Sequence, residues 1–262
     1  MSHDLDQTFE EEDRKMTGSF YTPKIWADEA HLEMDKTLGP DWRDECLVWD
    51  CCAGSGNLTR DYPFSDLILS TLQDVEVGVL EAEQGTKALC FKYDFLNAQG
   101  NFSDLPEGVI QKLRKAASEG KRIVFMMNPP YGTSGDITQS GKSKTGISIT
   151  EAKREMVSKG MGKPSNNLYV QFLYQATRVC EVFGFDKRSI GVFAPISYMS
   201  SGSYQSFRKY WYPRWEYRGG FMFQASHFED LSDLWGVTFI KWSEGSTDKA
   251  ELEISIRDIV KS

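Results

Sequence analysis

The stretch Asn128-Pro129-Pro130-Tyr131-Gly132 carries the most specific chemistry in the chain. Asn128 offers a side-chain carbonyl and Pro129 a backbone carbonyl, the latter held by two consecutive prolines, Pro129 and Pro130, whose rings fix φ. Two such acceptors suit an amine conjugated to a planar ring. Its lone pair is delocalised, which makes it a poor nucleophile. Hydrogen bonds to both amine hydrogens draw the nitrogen toward tetrahedral geometry and free the pair for attack. No strong base is needed beforehand, so catalysis rests on positioning and on hydrogen bonds that strengthen as charge develops. Tyr131 adds an aromatic face on which a planar acceptor can stack. Any aromatic amine or planar amide poses the same electronic problem, so these residues define the reaction more narrowly than the substrate.

A second cluster lies upstream. Leu47-Val48-Trp49-Asp50-Cys51-Cys52-Ala53-Gly54-Ser55-Gly56-Asn57 reads as a strand, a tight turn and the start of a helix. Gly54 and Gly56 tolerate positive φ and let a ligand approach the backbone closely. Asp50, at the strand end, can bind a cationic or hydroxyl group. The dinucleotide fingerprint is not met, because a third glycine at the right spacing is missing. Without Gly-Lys-Ser/Thr, a phosphate-cradling P-loop is excluded as well.

Both clusters follow short apolar runs, and these runs define the scaffold. They cover 47–51, 67–70, 89–91, 123–127, 190–194, 220–223 and 237–242, with helical patterns between many of them, notably 105–118 and 168–183. A further helix is predicted over 25–38, following Pro23 and ended by Gly39-Pro40. Strands alternating with helices predict an α/β domain with a mainly parallel sheet. Ligands of such sheets bind beyond the carboxyl ends of the strands, where strand order reverses.

The 262 residues are 40% hydrophobic and 26% charged, the composition of a globular chain that buries a sizeable core. No apolar run approaches the roughly 20 residues that cross a bilayer. The acidic opening, 1–17, reads as a disordered tail and not as a signal or transit peptide, and a soluble cytoplasmic protein with no membrane partner is expected. The cysteines, Cys46, Cys51, Cys52, Cys90 and Cys180, form no CxxC pair, and the histidines are widely separated, so neither a disulfide framework nor a metal site is expected. A net charge of −8 counts against a broad basic face for nucleic acid. Within 133–165, however, Lys142, Lys144, Lys153, Arg154, Lys159 and Lys163 outnumber Asp136, Glu151 and Glu155. This segment, rich in Gly, Ser and Thr, reads as a long loop, and a loop of that length is either functional or disordered.

The turn Asp50-x-x-x-Gly54-Ser55-Gly56-Asn57 resembles the S-adenosylmethionine-binding turn of the DNA amino-methyltransferases. Gly18-Ser19-Phe20-Tyr21-Thr22-Pro23 is similar to the segment that opens the γ group of that family and closes over the cofactor. The resemblance runs over about residues 18 to 243, in γ-group order. It implies a Rossmann-like S-adenosylmethionine-dependent methyltransferase fold with a seven-stranded, mostly parallel sheet whose last strand is antiparallel. It assigns Tyr21, Thr22, Pro23, Asp50, Cys52, Ala53, Gly54, Gly56, Asn57 and Asn128 to the cofactor. Asp94 takes the cofactor's adenine amino group and Phe95 packs on its ring. The ribose position departs from the family: Ser70-Thr71-Leu72-Gln73-Asp74 stands where an acidic residue is usual. Gln73, Asp74 or Glu76 can substitute there, while Thr71 with Asp74 also reads as a helix cap.

The resemblance makes Asn128, Pro129, Pro130 and Tyr131 catalytic, with adenine N6 in double-stranded DNA as the acceptor. The base must be flipped out of the duplex, and Phe228 is the expected ring on the face opposite Tyr131. The helix from Leu168 backs the cofactor pocket, and a loop over 197–203 follows the strand at 190–195. Cytosine N4, RNA, a protein glutamine, or a non-catalytic cofactor-binding role stay open as alternatives. Residues 18–262 form the expected catalytic domain, with no separate target-recognition domain evident. Recognition then comes from a separate subunit, from the basic loop after Tyr131, or from a longer parent chain.

Overall fold

Apolar residues crowded into short runs favour strands buried on both faces. The computed structural model describes residues 21–134, 149–228, 235–248 and 251–258. It begins with α1 (Lys24–Leu38), α2 (Trp42–Glu45), β1 (Leu47–Asp50), β2 (Leu67–Thr71), α3 (Asp74–Gln84), β3 (Ala88–Lys92), α4 (Glu107–Ser118) and β4 (Ile123–Met127). It continues through α5 (Glu151–Ser158), α6 (Leu168–Phe183), β5 (Arg188–Pro195), α7 (Ser197–Ser200) and α8 (Gln205–Trp211). Three strands close the order: β6 (Trp215–Gln224), β7 (Gly236–Glu244) and β8 (Ser255–Ile256). The acidic tail expected over 1–17 lies outside the described residues.

The strands form one sheet in the order β3-β2-β1-β4-β5-β7-β6-β8. From β3 to β5 every pairing is parallel. β7 runs antiparallel between β5 and β6, and β8 adds a short parallel edge to β6. The sheet therefore has eight strands where seven were expected, and the antiparallel strand is β7. The added β8 is two exposed residues long, too short to leave an apolar run in the sequence. Strand order reverses between β1 and β4, so the crevice for a ligand lies between their carboxyl ends, at Asp50 and Asn128.

Side-chain alternation divides the core into two layers. Leu47, Trp49, Ile123 and Phe125 face α4 and α6, while Val48, Val124 and Met126 face α1. Trp49 lies 5.5 Å from Phe95 and 5.8 Å from Phe125, ring centre to ring centre. Its indole N–H is satisfied by Ser70 Oγ at 3.0 Å. Truncating such a ring to alanine costs about 3–5 kcal/mol.

Helix α1 is anchored by two buried polar residues near its middle, Glu33 and His31. Buried Lys241 of β7 meets the Glu33 carboxylate at 2.7 Å, and Arg257 meets the same carboxylate at 2.5 Å. His31 donates from Nε2 to the Leu58 carbonyl at 2.8 Å and accepts from Arg43 Nε at 3.0 Å. Burial pushes the His31 imidazole down to about 3, so it is neutral and keeps both roles. This contact accompanies a departure from expectation. The helix predicted to start after Gly56 is a run of turns over 57–61, and the Leu58 carbonyl, which a helix would use, is taken by His31 instead.

Two further segments differ from the sequence reading. Among the described residues, the stretch expected to be loop over 133–165 contains α5 and the start of a 3-10 turn at Lys163–Asn166. The loop expected over 197–203 holds α7 and a 3-10 turn at Gly202–Tyr204.

Candidate active site

The turn after β1 is built on backbone. Ala53 N–H donates to Ser70 O at 3.0 Å and Gly56 N–H to Ala53 O at 2.8 Å, which ties the turn to the end of β2. Gly54 and Gly56 have φ of +53° and +86°. A Cβ on Gly56 would lie 2.9 Å from Leu80 Cδ2, so α3 packs directly on this turn. A Cβ on Gly54 would meet the Tyr21 ring at 3.6 Å and Glu76 Oε1 at 3.8 Å. Tyr21, Gly54 and Glu76 thus share one small space above the strand ends.

Asp50 is 1% exposed and accepts from the Cys52 N–H at 3.1 Å. Burial pushes its carboxyl up to about 7. A carboxyl in that state is readily ionised by a cationic partner placed against it. The Cys52 thiol sits against the Asn128 backbone, and burial raises it well above its ordinary range, so it stays protonated.

The tetrapeptide sits on the adjacent strand end. Asn128 donates from Nδ2 to Thr22 Oγ1 at 3.0 Å, and its Oδ1 accepts from the Tyr131 hydroxyl at 2.7 Å. Thr22, 3% exposed, also accepts at its carbonyl from Asn57 Nδ2 at 3.3 Å. One buried residue before α1 therefore links the glycine turn to the tetrapeptide. Burial holds the Tyr131 phenol well above its usual range, so it remains a donor. Its ring meets Trp235 edge-on at 5.7 Å and Phe228 edge-on at 6.5 Å.

The structure brings Tyr21, Thr22, Asp50, Cys52, Ala53, Gly54, Gly56, Asn57 and Asn128 around one crevice. Pro23 caps the start of α1, and Pro129 is buried beside the site. Other expected residues are placed differently. Gln73 is exposed at the start of α3, Asp74 pairs with Lys92 at 2.5 Å, and it is Glu76, hydrogen-bonded to Thr71 Oγ1, that faces the glycine turn. Thr71 does not cap α3. Asp94 caps the 3-10 turn Phe95–Asn97, where Asn97 Nδ2 donates to its carboxylate at 2.7 Å. Phe95 is 2% exposed, packed on Trp49 and stacked at 5.6 Å on Phe172 of α6. Phe228 is fully buried and stacked at 5.5 Å on Phe223.

Sequence reasoning missed two features. Trp235 stands one residue before β7 and reaches Tyr131, and its only signal was an aromatic flanking an apolar run. The Thr22–Asn128 bond joins residues 106 positions apart, which no local pattern reveals. The arrangement as a whole is a fixed neutral amide, a buried carboxyl and a glycine turn, with Gly54 partly exposed and Gly56 buried, at adjoining strand ends. That set suits transfer to an amine whose proton need not be removed first.

No protein-family model matches the chain, and no curated protein does. Solved structures with the same fold include the DrdV–DNA complex, at a TM-score of 0.65 and 14% identity over 97% of this chain and 29% of the other. A second, described as a class I S-adenosylmethionine-dependent methyltransferase from Listeria monocytogenes, gives 0.55 and 9% identity over 90% and 64%. The type I restriction-modification system methyltransferase subunit from Streptococcus thermophilus gives 0.52 and 14% identity over 92% and 47%. The chain spans less than two thirds of each of these. Its fold is the Rossmann-like fold of S-adenosylmethionine-dependent methyltransferases. Among the described residues, no helix is long and apolar enough to cross a membrane.

Proposed function

We propose that this chain methylates the N6 amine of adenine in double-stranded DNA, as the γ-group resemblance implies. The observation that carries the reading is the Asn128 amide. Its nitrogen is committed to Thr22, so its oxygen is the acceptor turned toward a substrate, beside the turn of Gly54 and Gly56. The donor set also fits S-adenosylmethionine. Asp50 suits its ammonium end, Glu76 its ribose hydroxyls, and the glycine backbone a close approach.

When bound, S-adenosylmethionine supplies an electrophilic methyl group. Asn128 Oδ1 and the Pro129 carbonyl accept from the two hydrogens of the target amine and turn its lone pair toward that methyl. The Tyr131 hydroxyl gives up Oδ1 to the amine while its ring lies against the flipped base. The amine becomes acidic only after transfer, so its surplus proton leaves from beside Asn128 to water, without a dedicated base. Rigid placement by Thr22 and Pro129 supplies the orientation on which such chemistry rests.

DNA as the acceptor is supported by the γ-group order of the segments and by fold neighbours that include a DNA complex and the methyltransferase subunit of a type I restriction-modification system. Because the chain spans 29% and 47% of those two, the reading includes target recognition by a separate subunit or region. The test is transfer of labelled methyl groups to unmethylated duplex DNA, RNA and protein in parallel, with nucleoside analysis of the product. Label in N6-methyladenine is expected. Label confined to RNA or protein would replace the substrate assignment.

A further inference from the structure

Sequence charge marked the stretch 133–165 as basic, but the structure redistributes that charge. Lys153 is buried at 2% exposure with its Nζ on the Ser134 carbonyl at 3.1 Å. Arg154 pairs with Glu151, and Lys159 is held by Glu155 at 2.9 Å and by the Tyr174 hydroxyl at 2.6 Å. Lys142 and Lys144 lie outside the described residues. Lys163 differs from the paired residues: it makes no ion pair or hydrogen bond from its side chain to any described residue.

Lys163 lines a cleft of about 290 Å³ with Thr133, Ser134, Asn166, Asn167 and Ser203. The cleft begins two residues beyond Tyr131, which places Thr133 within about 7 Å of it along the chain. Among the described residues, neither aspartate nor glutamate lines the cleft, although the chain carries a net charge of −8. Pro164 and Tyr204 complete the lining, and the polar groups among its walls are hydroxyls, amides and one ammonium, which are groups that bind phosphate oxygens.

The walls are also held in place from below. Thr133 bridges to Asn167, and Ser134 N–H donates to Asn166 O at 2.7 Å. Buried Gln171 donates to Ser134 Oγ at 3.1 Å and to Ser165 O at 2.7 Å, and accepts from Thr150 Oγ1 at 2.6 Å. This network fixes the Lys163–Asn166 turn against the segment leaving the tetrapeptide.

We propose that this cleft is a subsite for a backbone phosphate of the acceptor DNA next to the target nucleotide, with Lys163 as its cation. The inference rests on the DNA reading above and adds where the acceptor's backbone is held. The role of Lys163 is to fix the strand so that the base reaches Asn128, not to take part in methyl transfer.

The test measures affinity for a short unmethylated duplex across a series of NaCl concentrations, using the full chain. Wild type is compared with Lys163→Gln, Lys163→Arg and, as a charge control, Lys115→Gln on α4. Loss of one phosphate contact lowers the slope of log affinity against log salt by about one. We expect that decrease in Lys163→Gln, with binding at low salt weakened about 3- to 10-fold. Lys163→Arg and Lys115→Gln should keep the wild-type slope. An unchanged slope in Lys163→Gln, with DNA still bound and methylated, would overturn the subsite and leave the DNA reading standing. Failure of wild type to bind DNA at any salt would overturn the subsite, and the methyl-transfer test above then decides the DNA reading separately.

Discussion

The Tyr131 hydroxyl donates a 2.7 Å hydrogen bond to Oδ1 of Asn128, so the acceptor assigned to the substrate amine is held by a residue three positions away. The amine must displace that hydroxyl, while the Tyr131 ring stays to support the base. Tyr131→Phe separates the two roles. We expect it to keep kcat within about tenfold and to leave KM unchanged or lowered. Tyr131→Ala should cut kcat/KM by about 5- to 160-fold through loss of about 1–3 kcal/mol of stacking. Steady-state methylation of an oligonucleotide measures both, and equal damage in the two variants would show that the hydroxyl does more than hold Oδ1.

Thr22 fixes which end of the Asn128 amide faces the crevice. Thr22→Val keeps shape but removes the Thr22 hydroxyl from Nδ2, a cost of about 1–3 kcal/mol. Expressed at the transition state, that is roughly a 10- to 100-fold fall in kcat. Thr22→Ser should restore most of it, because the hydroxyl returns. Single-turnover rates, with the melting temperature as a check on folding, decide the matter. A melting temperature that falls while kcat holds would make Thr22 merely structural.

Asp50 predicts a pH dependence of defined sign. Its folded carboxyl titrates near 7, above the ordinary value of 3.8. The folded state thus binds a proton that the unfolded state has already released between those values. The associated stability is complete below about pH 4 and is lost as pH rises through 7. The melting temperature of wild type relative to Asp50→Asn should therefore fall over pH 4 to 7 and level off above. S-adenosylmethionine affinity, measured by calorimetry, should rise with pH over the same window in wild type and not in Asp50→Asn. A flat wild-type profile would remove Asp50 from the cofactor's cationic end.

Gly56→Ala tests how tightly α3 packs on the turn. The added methyl would lie 2.9 Å from Leu80 at a φ of +86°. Left-handed backbone strain alone costs about 1–2 kcal/mol. We expect a loss of at least that size in chemical denaturation, with weaker cofactor binding. Gly39→Ala, at φ +90° with nothing within 4 Å, should cost strain without touching cofactor affinity.

Much of this fold was legible because β1, β2 and β4 are buried on both faces and read as unbroken apolar runs. The tetrapeptide and the glycine turn were legible because their chemistry is local. What stayed hidden depends on distant pairings. Leu58 O bonding to His31 accompanies turns where a helix was expected, and β8 is too short to carry a pattern. Lys153 counted among the basic residues of 133–165, but it is buried with its Nζ on the Ser134 carbonyl. Phe95 and Phe228 were assigned outward roles, but each is closed into the core by neighbours far away in sequence. Glu76 faces the glycine turn because α3 brings it round, whereas Gln73, nearer the strand end, points to solvent.

The most direct test of the account is single-turnover transfer of labelled methyl from S-adenosylmethionine to unmethylated duplex DNA by wild type and Asn128→Ala. Cofactor binding is measured on the same samples. Wild type is expected to place label in N6-methyladenine. The variant is expected to bind the cofactor normally and to lose transfer by about 100-fold or more, the scale of removing one preorganised hydrogen-bonding group. Transfer at the wild-type rate by Asn128→Ala would contradict the role of that amide and, with it, the proposed mechanism.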